Sequence, residues 1–172
     1  MKRTIVLFIG LLALVLALPA CQREKTEELF KLTGRIFVFN YRVSESSYMV
    51  TIEQQVQIPD GLTVVAQFQD PTGGKPIEII RTAWPKLKRV SLASPAIRCV
   101  KAGVPYAVDI AVKNAAGQTV QSIATTVTSN MDQSVLAAKP LLVGPVYEPN
   151  REVFKNGGTD FSPDPDCPNL KQ

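Results

Sequence analysis

The chain has 172 residues, a length that predicts a single domain. Its 45% hydrophobic and 20% charged residues are typical of a globular protein rather than a disordered one. It contains no histidine, which excludes Ser-His-Asp and Cys-His catalysis and every metal site that needs an imidazole ligand.

The N-terminal segment predicts export. Lys2 and Arg3 precede an apolar run from Ile5 to Leu18, the pattern of a secretory signal peptide. A run of this length is short for a bilayer, which needs about 20 apolar residues. The alternative is an uncleaved N-terminal anchor.

The end of this run resembles the bacterial lipobox. Leu18 and Ala20 stand at the third and the last position before Cys21, which would become the lipidated first residue of the mature protein. Several acyl chains on one cysteine anchor a protein stably to a membrane. Gln22 follows instead of aspartate, which by resemblance to sorting in enteric bacteria favours the periplasmic side of the outer membrane.

Cleavage before Cys21 also changes the charge. Removing Lys2 and Arg3 lowers the 19 bases to 17 against 15 acids, so the net charge falls from +4 to +2. No domain-wide basic surface remains, and we therefore expect no binding of nucleic acid.

The two other cysteines are expected to pair. Cys99 and Cys167 remain once Cys21 is lipidated, and two thiols in an oxidising compartment usually form a disulfide. The bridge would close a loop of about 70 residues and contribute roughly 4 kcal/mol. The alternative is two unrelated thiols.

Four segments follow from the changes in composition along the chain. They are a lipoprotein signal peptide at 1–20, a polar tether at 21–31, a β domain at 32–143 and a Pro- and Gly-rich tail at 144–172. Residues 22–31 also permit one or two turns of helix.

Short strands dominate the β domain, because its apolar residues alternate in period two between turn signals. We predict strands at 32–40, 48–58, 62–69, 77–80, 90–92, 106–113, 119–127 and 141–143. The segment 114–117 would be the turn of a hairpin, with Gly117 available for a positive φ. Connections this short require antiparallel pairing, so the fold class is an all-β antiparallel sandwich of about seven or eight strands. Met131 to Ala137 permits a short helix.

The tail predicts no regular structure, because prolines and glycines interrupt it throughout. It would lie extended on the surface, held there if Cys167 bonds Cys99. Asp160, Asp164 and Asp166 offer oxygen ligands of the kind that calcium prefers, but the spacing is not that of an EF-hand loop. A solvated acidic tail is the alternative, and we predict neither a metal nor a cofactor.

One segment stands out as a candidate binding site. The only tryptophan, Trp84, lies among four bases. An exposed tryptophan beside basic residues is typical of a contact with a protein partner or with anionic lipid headgroups. The alternative is a core tryptophan with lysines that protect an edge strand from aggregation. The candidate residues are Arg81, Trp84, Lys86, Lys88 and Arg89.

The stretch from Gly34 to about Val143 resembles small bacterial lipoproteins of the YbaY and YscW type. The resemblance rests on Gly34-Arg-Ile, on the strand from Pro59 through Asp70, on Val90-Ser-Leu and on Gly103-Val-Pro-Tyr-Ala-Val. It implies a β-sandwich lipoprotein, and some members act as pilotins that escort secretins to the outer membrane and bind a hydrophobic segment of their partner.

These observations predict a non-catalytic, lipid-anchored outer-membrane protein that faces the periplasm and binds a protein partner, as an assembly factor or a pilotin-like chaperone. One alternative is a structural or stress-related envelope lipoprotein without a dedicated client. A second is a periplasmic small-ligand binder or an enzyme that uses carboxylates, for which a buried close pair of acids would be required.

Overall fold

A computed structural model describes residues 28–155, 157–160, 162 and 164–167. Nine strands and one short 3-10 helix, Gln133–Val135, form the described part of the chain. The strands are β1 Phe30–Asn40, β2 Glu45–Gln54, β3 Leu62–Phe68, β4 Ile77–Ala83, β5 Arg89–Ala93, β6 Pro105–Lys113, β7 Thr119–Thr128, β8 Leu142–Val143 and β9 Glu148–Pro149.

Two antiparallel sheets pack face to face, and this confirms the predicted all-β sandwich. One sheet has the strand order β1-β2-β5 and the other has the order β4-β3-β6-β7. The small β8-β9 pair lies outside both sheets. Consecutive strands β2 and β3 therefore belong to different sheets, as do β4 and β5.

The core lies between the sheets and comes from the alternating residues of the strands. One side of each strand faces inward, and these side chains are buried as their parity predicts. Burying one such side chain contributes about 1.5–3 kcal/mol. The buried sets are Tyr48, Val50 and Ile52 of β2, Leu62, Val64, Ala66 and Phe68 of β3, and Tyr106, Val108, Ile110 and Val112 of β6.

Aromatic rings join the two sheets at the centre of this core. The ring centroid of Tyr48 lies 4.9 Å from that of Phe37 and 4.9 Å from that of Phe68, in the opposite sheet. The Tyr48 hydroxyl donates to the carbonyl of Gln69. Burial, with Asp70 and Tyr106 nearby, raises the pKa of Tyr48 well above its usual value, so the hydroxyl remains a neutral donor.

Three predicted elements differ from the structure. The strand predicted to reach Ile58 ends at Gln54: Gln55 still donates its N–H to the Leu29 carbonyl, 2.9 Å away, and the chain bends at Val56. The predicted helix at 131–137 shrinks to three residues of 3-10 helix. The tail was predicted to be irregular from residue 144, yet β9 pairs with β8 through a tight turn in which Gly144 and Tyr147 hold φ values of 73° and 56°.

The sandwich has two distinct ends. At one, which we call the tether end, β1 begins and the loops 55–61, 84–88 and 114–118 connect the strands. At the other, the tail end, lie the turn 41–44, the loops 69–76 and 94–104, and the tail itself. Ser44 donates to the Lys139 carbonyl at 2.8 Å, and Leu142 donates to the Arg42 carbonyl at 2.9 Å, so the segment that leads into the tail crosses this end.

Candidate functional site

The five candidate residues follow one another along the segment that crosses between the sheets. Arg81 lies near the end of β4, Trp84, Lys86 and Lys88 lie in the connecting loop, and Arg89 begins β5. All five are exposed. Since β4 and β5 are both edge strands, the candidate segment runs along one open side of the sandwich and then around its tether end.

A β-turn sets the conformation of the loop. The Trp84 carbonyl accepts a hydrogen bond of 2.9 Å from the Leu87 N–H, and Pro85 occupies the second turn position, where its fixed φ is favourable. The first and last residues of such a turn lie within about 7 Å of each other. Trp84 and Leu87 are 58% and 54% exposed, so the expectation of a core tryptophan is wrong.

Positive charge surrounds this apolar pair. Among the described residues, no carboxylate forms an ion pair with Arg81, Lys86 or Lys88. Arg89 approaches Glu53 at 3.8 Å, but the Arg89 side chain is largely exposed and the pair contributes little. The bases are therefore available to an external anion.

The loop is tied to the start of the domain. Gln54, the last residue of β2, donates its N–H to the Lys88 carbonyl at 2.8 Å and lies opposite Phe30 in the β1-β2 register. The next residue, Gln55, donates to the Leu29 carbonyl. The turn 84–87 and the point where the tether joins β1 consequently lie at the same end of one three-stranded sheet.

The two long sides of the sandwich differ. On one side the edge strands β1 and β7 are joined by side chains: Gln121 accepts from the Phe30 N–H at 2.9 Å and donates to the Phe30 carbonyl at 2.6 Å. Arg35 donates to the Thr125 hydroxyl at 3.2 Å. These contacts bridge the two edge strands at two points, Phe30 and Arg35, and we call this the closed side of the sandwich.

On the opposite side, β3 is the one strand of the described chain that is hydrogen-bonded to β4, so the other edge of β4 has no strand beside it there. Ile77 and Ile79 point toward the core but are half-buried, and Ile80 on the outer face is 54% exposed. Arg81 shares the inward parity of Ile79, because its register partner is the buried Val64. An apolar strand with a terminal cation is thus presented at an open edge.

A shallow groove that the sequence analysis missed crosses the outer face of the four-stranded sheet. Its volume is about 320 Å³, and Val65 at its floor is buried although it points outward. The exposed carboxylates of Glu78 and Asp109 lie on its walls. The small outward residues Ala111, Ser122 and Ala124 leave the space. The sequence signal for the groove was the presence of small residues at the outward positions of β6 and β7, which repeat every second residue.

The predicted disulfide is present. Cys99 and Cys167 are bonded, with their Cα atoms 5.2 Å apart. Beside the bridge, Arg98 Nε donates to Asp164 Oδ2 at 2.7 Å, and Arg98 Nη2 donates to Asp166 Oδ2 at 2.9 Å. The tail is therefore held against the segment 98–99 by one covalent and several ionic contacts.

Asp164 is the least exposed carboxylate of this cluster. Its burial opposes ionisation, but hydrogen bonds from the Arg98 guanidinium and the Asp166 N–H outweigh that effect and hold its pKa below the usual range. Asp160 lies apart and accepts from Ser162. Within residues 28–155, 157–160, 162 and 164–167, no group of three potential ligands is arranged around a metal position.

Cys21 and the signal peptide lie outside the described residues, as does most of the predicted tether. In the part of the chain that the structure covers, no helix is long and apolar enough to cross a bilayer.

Comparison with known proteins adds little. No family model matches the chain, and no curated protein matches it. Among solved structures, an endonuclease/exonuclease/phosphatase from Beutenbergia cavernae aligns with 58% of this chain at 9% identity and a TM-score of 0.30. The chain spans about a third of that protein, 35% of its length.

Proposed function

We propose that this protein is a non-catalytic lipoprotein of the bacterial outer membrane that faces the periplasm and binds a protein partner, as an assembly factor or a pilotin-like chaperone. The partner contributes an extended segment that adds to the free edge of β4. Cys21 carries the lipid anchor, as the lipobox resemblance indicates.

The difference between the two long sides of the sandwich supports this proposal most directly. Gln121 and Arg35 bridge β1 and β7, whereas among the described residues no hydrogen bond joins β4 to β5 and no strand pairs with the outer edge of β4. An exposed edge of this kind is a template for strand addition, in which main-chain hydrogen bonds supply affinity and side-chain contacts supply specificity.

The side chains of β4 define the chemistry of the partner segment. Half-buried Ile77 and Ile79 favour apolar residues on the inward parity of an added strand. Arg81 has no carboxylate partner among the residues that the structure describes, and it favours Asp or Glu opposite it, since opposite charges on paired strands attract. The expected segment is extended and apolar, with an acidic residue at one end.

Site-specific crosslinking in cells tests this arrangement. A photoreactive amino acid replaces Ile80 on the open edge or Val120, which is also exposed, on the closed side. We expect one envelope protein to crosslink from position 80 and not from position 120. Arg81→Glu should reduce that crosslink, whereas Lys113→Glu, outside the edge, should leave it unchanged.

The anchor is tested in the same strains. Mass spectrometry of the N-terminal peptide should find acyl chains on Cys21, and Cys21→Ser should abolish them. A lipidated, folded protein that crosslinks equally from both sides would contradict the edge proposal. One that crosslinks to nothing would favour an envelope lipoprotein without a client.

A further inference from the structure

The turn 84–87 exposes two large apolar side chains next to lysines, which packing in the core does not explain. Trp84 and Leu87, the first and last residues of one β-turn, are more than half exposed, and Lys86 and Lys88 flank Leu87. Pro85 stiffens the turn, so the apolar pair projects from a defined backbone. The result is a small exposed apolar tip with two lysines next to it in the sequence.

This tip lies close to the place where the chain leaves the domain toward Cys21. β5, which follows the turn, is the second neighbour of β1 in the order β1-β2-β5. Strands in a sheet are about 4.8 Å apart, so the loop is about 10 Å from the start of β1. The hydrogen bonds of Gln54 to Lys88 and of Gln55 to Leu29 connect the two points.

The chain between the anchor and the domain is short. Nine residue steps separate Cys21 from Phe30, which allows at most about 30 Å when the chain is fully extended. A lipid on Cys21 therefore holds the tether end of the sandwich, with its apolar tip, near the membrane surface. The tail end is a full strand length farther away.

We propose that the segment Trp84–Lys88 is a second membrane contact, which inserts into the headgroup region of an anionic phospholipid surface. The inference rests on the lipid anchor proposed above. Trp84 and Leu87 enter the interface, and Lys86 and Lys88 bind lipid phosphates at the same depth.

The chemistry of each side chain suits this position. Tryptophan, with an apolar body and one polar N–H, concentrates at membrane interfaces. Lysines bury their aliphatic stems while their charged ends remain among the headgroups. Basic residues near a bilayer are attracted by anionic lipids. Because the anchor already raises the local concentration, a weak contact is sufficient to orient the domain.

Other charges at the tether end favour the same partner. Among the described residues, the bases there are Lys31, Lys86, Lys88, Arg89 and Lys113, and the acids are Glu28, Glu53 and Asp60. One of these acids, Glu53, lies beside Arg89. A protein partner at this end would have to fit into the gap spanned by the tether, whereas the lipid surface is already there.

Fluorescence tests the proposal, because Trp84 is the only tryptophan of the chain. The purified, lipidated protein is reconstituted into vesicles of phosphatidylethanolamine with phosphatidylglycerol, or of phosphatidylcholine alone, each with some brominated lipid. In the anionic vesicles we expect a blue-shifted Trp84 emission and loss of its intensity to bromine. Both effects should weaken at high salt, which screens the charges.

Matched variants separate the local charge from the total charge. Lys86→Gln with Lys88→Gln should restore much of the emission in anionic vesicles. Lys75→Gln with Lys155→Gln removes the same charge at the tail end and should have no effect.

Several results would overturn the proposal. One is Trp84 emission that is identical in both vesicle types while the protein floats with them. Another is equal quenching in the two double variants. Loss of a protein crosslink in Trp84→Ala, without lipid quenching in the wild type, would assign the turn to a protein instead. If mass spectrometry finds no acyl chains on Cys21 and the protein does not float with the vesicles, the lipid anchor is absent. The proposal then fails, because it rests on that anchor.

Discussion

The two ends of the sandwich use their charged groups in opposite ways. At the tail end, Arg98, next to Cys99 of the disulfide, binds two carboxylates, and Lys139 binds Glu152 at 2.7 Å. At the tether end, Lys86 and Lys88 form no ion pair with any described residue. One end is fastened internally, and the other leaves its charge and its apolar side chains to the surroundings.

The contrast indicates that variants of the tail end should affect stability and that variants of the tether end should affect binding. Contacts within the chain hold the tail and add to the free energy of unfolding. The exposed side chains of the turn 84–87 add little to the free energy of unfolding, so they can be changed without loss of the fold. The following predictions test that division, beginning with the largest effect.

Removal of the disulfide should destabilise the protein most. The bridge joins residues 68 apart, and closing such a loop stabilises by about 4 kcal/mol. Urea unfolding followed by circular dichroism should show this decrease for Cys99→Ala with Cys167→Ala. The fluorescence of Trp84, at the other end, should be unchanged in the folded double variant. A stability equal to that of the wild type would show that the bridge does not fasten the tail end.

Loss of Arg98 should have a smaller effect, and it should depend on pH. The Arg98 side chain is half exposed, so screening limits Arg98→Ala to about 1 kcal/mol. The pKa of Asp164 is lower in the folded protein than in the unfolded chain, so its contribution is complete above the ordinary carboxyl range. That contribution is lost as the pH falls through the folded value.

Limited proteolysis of the tail measures this contact. The wild-type tail should become more susceptible only at a pH below the ordinary carboxyl range, because the lowered pKa keeps Asp164 ionised until then. In Arg98→Ala the tail should already be susceptible near neutral pH. Equal protection of both proteins at all pH values would exclude the ion pair as a fastening.

The smallest effect is expected for Trp84→Ser. A side chain that is more than half exposed should alter the free energy of unfolding by only about 0.5 kcal/mol. Leu92→Ala, in the adjacent strand β5, provides the comparison because Leu92 is fully buried and its truncation should cost about 2–5 kcal/mol. If the two variants were equally unstable, Trp84 would be a packing residue and its assignment to the membrane would fail.

Period-two alternation made most of the fold predictable. It identified the inward faces of β2, β3 and β6, because burial on one side of a pleated strand is a local property. The turn at 114–117 was equally predictable from the sequence, and Gly117 has the expected positive φ, 78°. The disulfide followed from the number of cysteines and the expected compartment.

Strand order was not predictable, and the candidate site depends on it. Alternation tells which face of a strand is buried but not which strand lies beside it. Nothing local to 81–89 indicates that β4 and β5 lie at the edges of different sheets, nor that Trp84 therefore turns outward. The β8-β9 hairpin was missed because each of its strands has only two residues, too few for a periodic pattern.

The closed side of the sandwich has a mechanical consequence. β1 starts at the tether end and runs away from the anchor, paired with β2 from Phe30–Gln54 to Asn40–Glu45. With the anchor at Cys21 and the partner on β4 that are proposed above, a pull on the anchor would act along β1 and load this ladder in shear, so its hydrogen bonds would share the force instead of opening singly. Gln121 hydrogen-bonds both backbone groups of Phe30, the first residue of β1, and helps to keep this end of the strand from separating from the sheet.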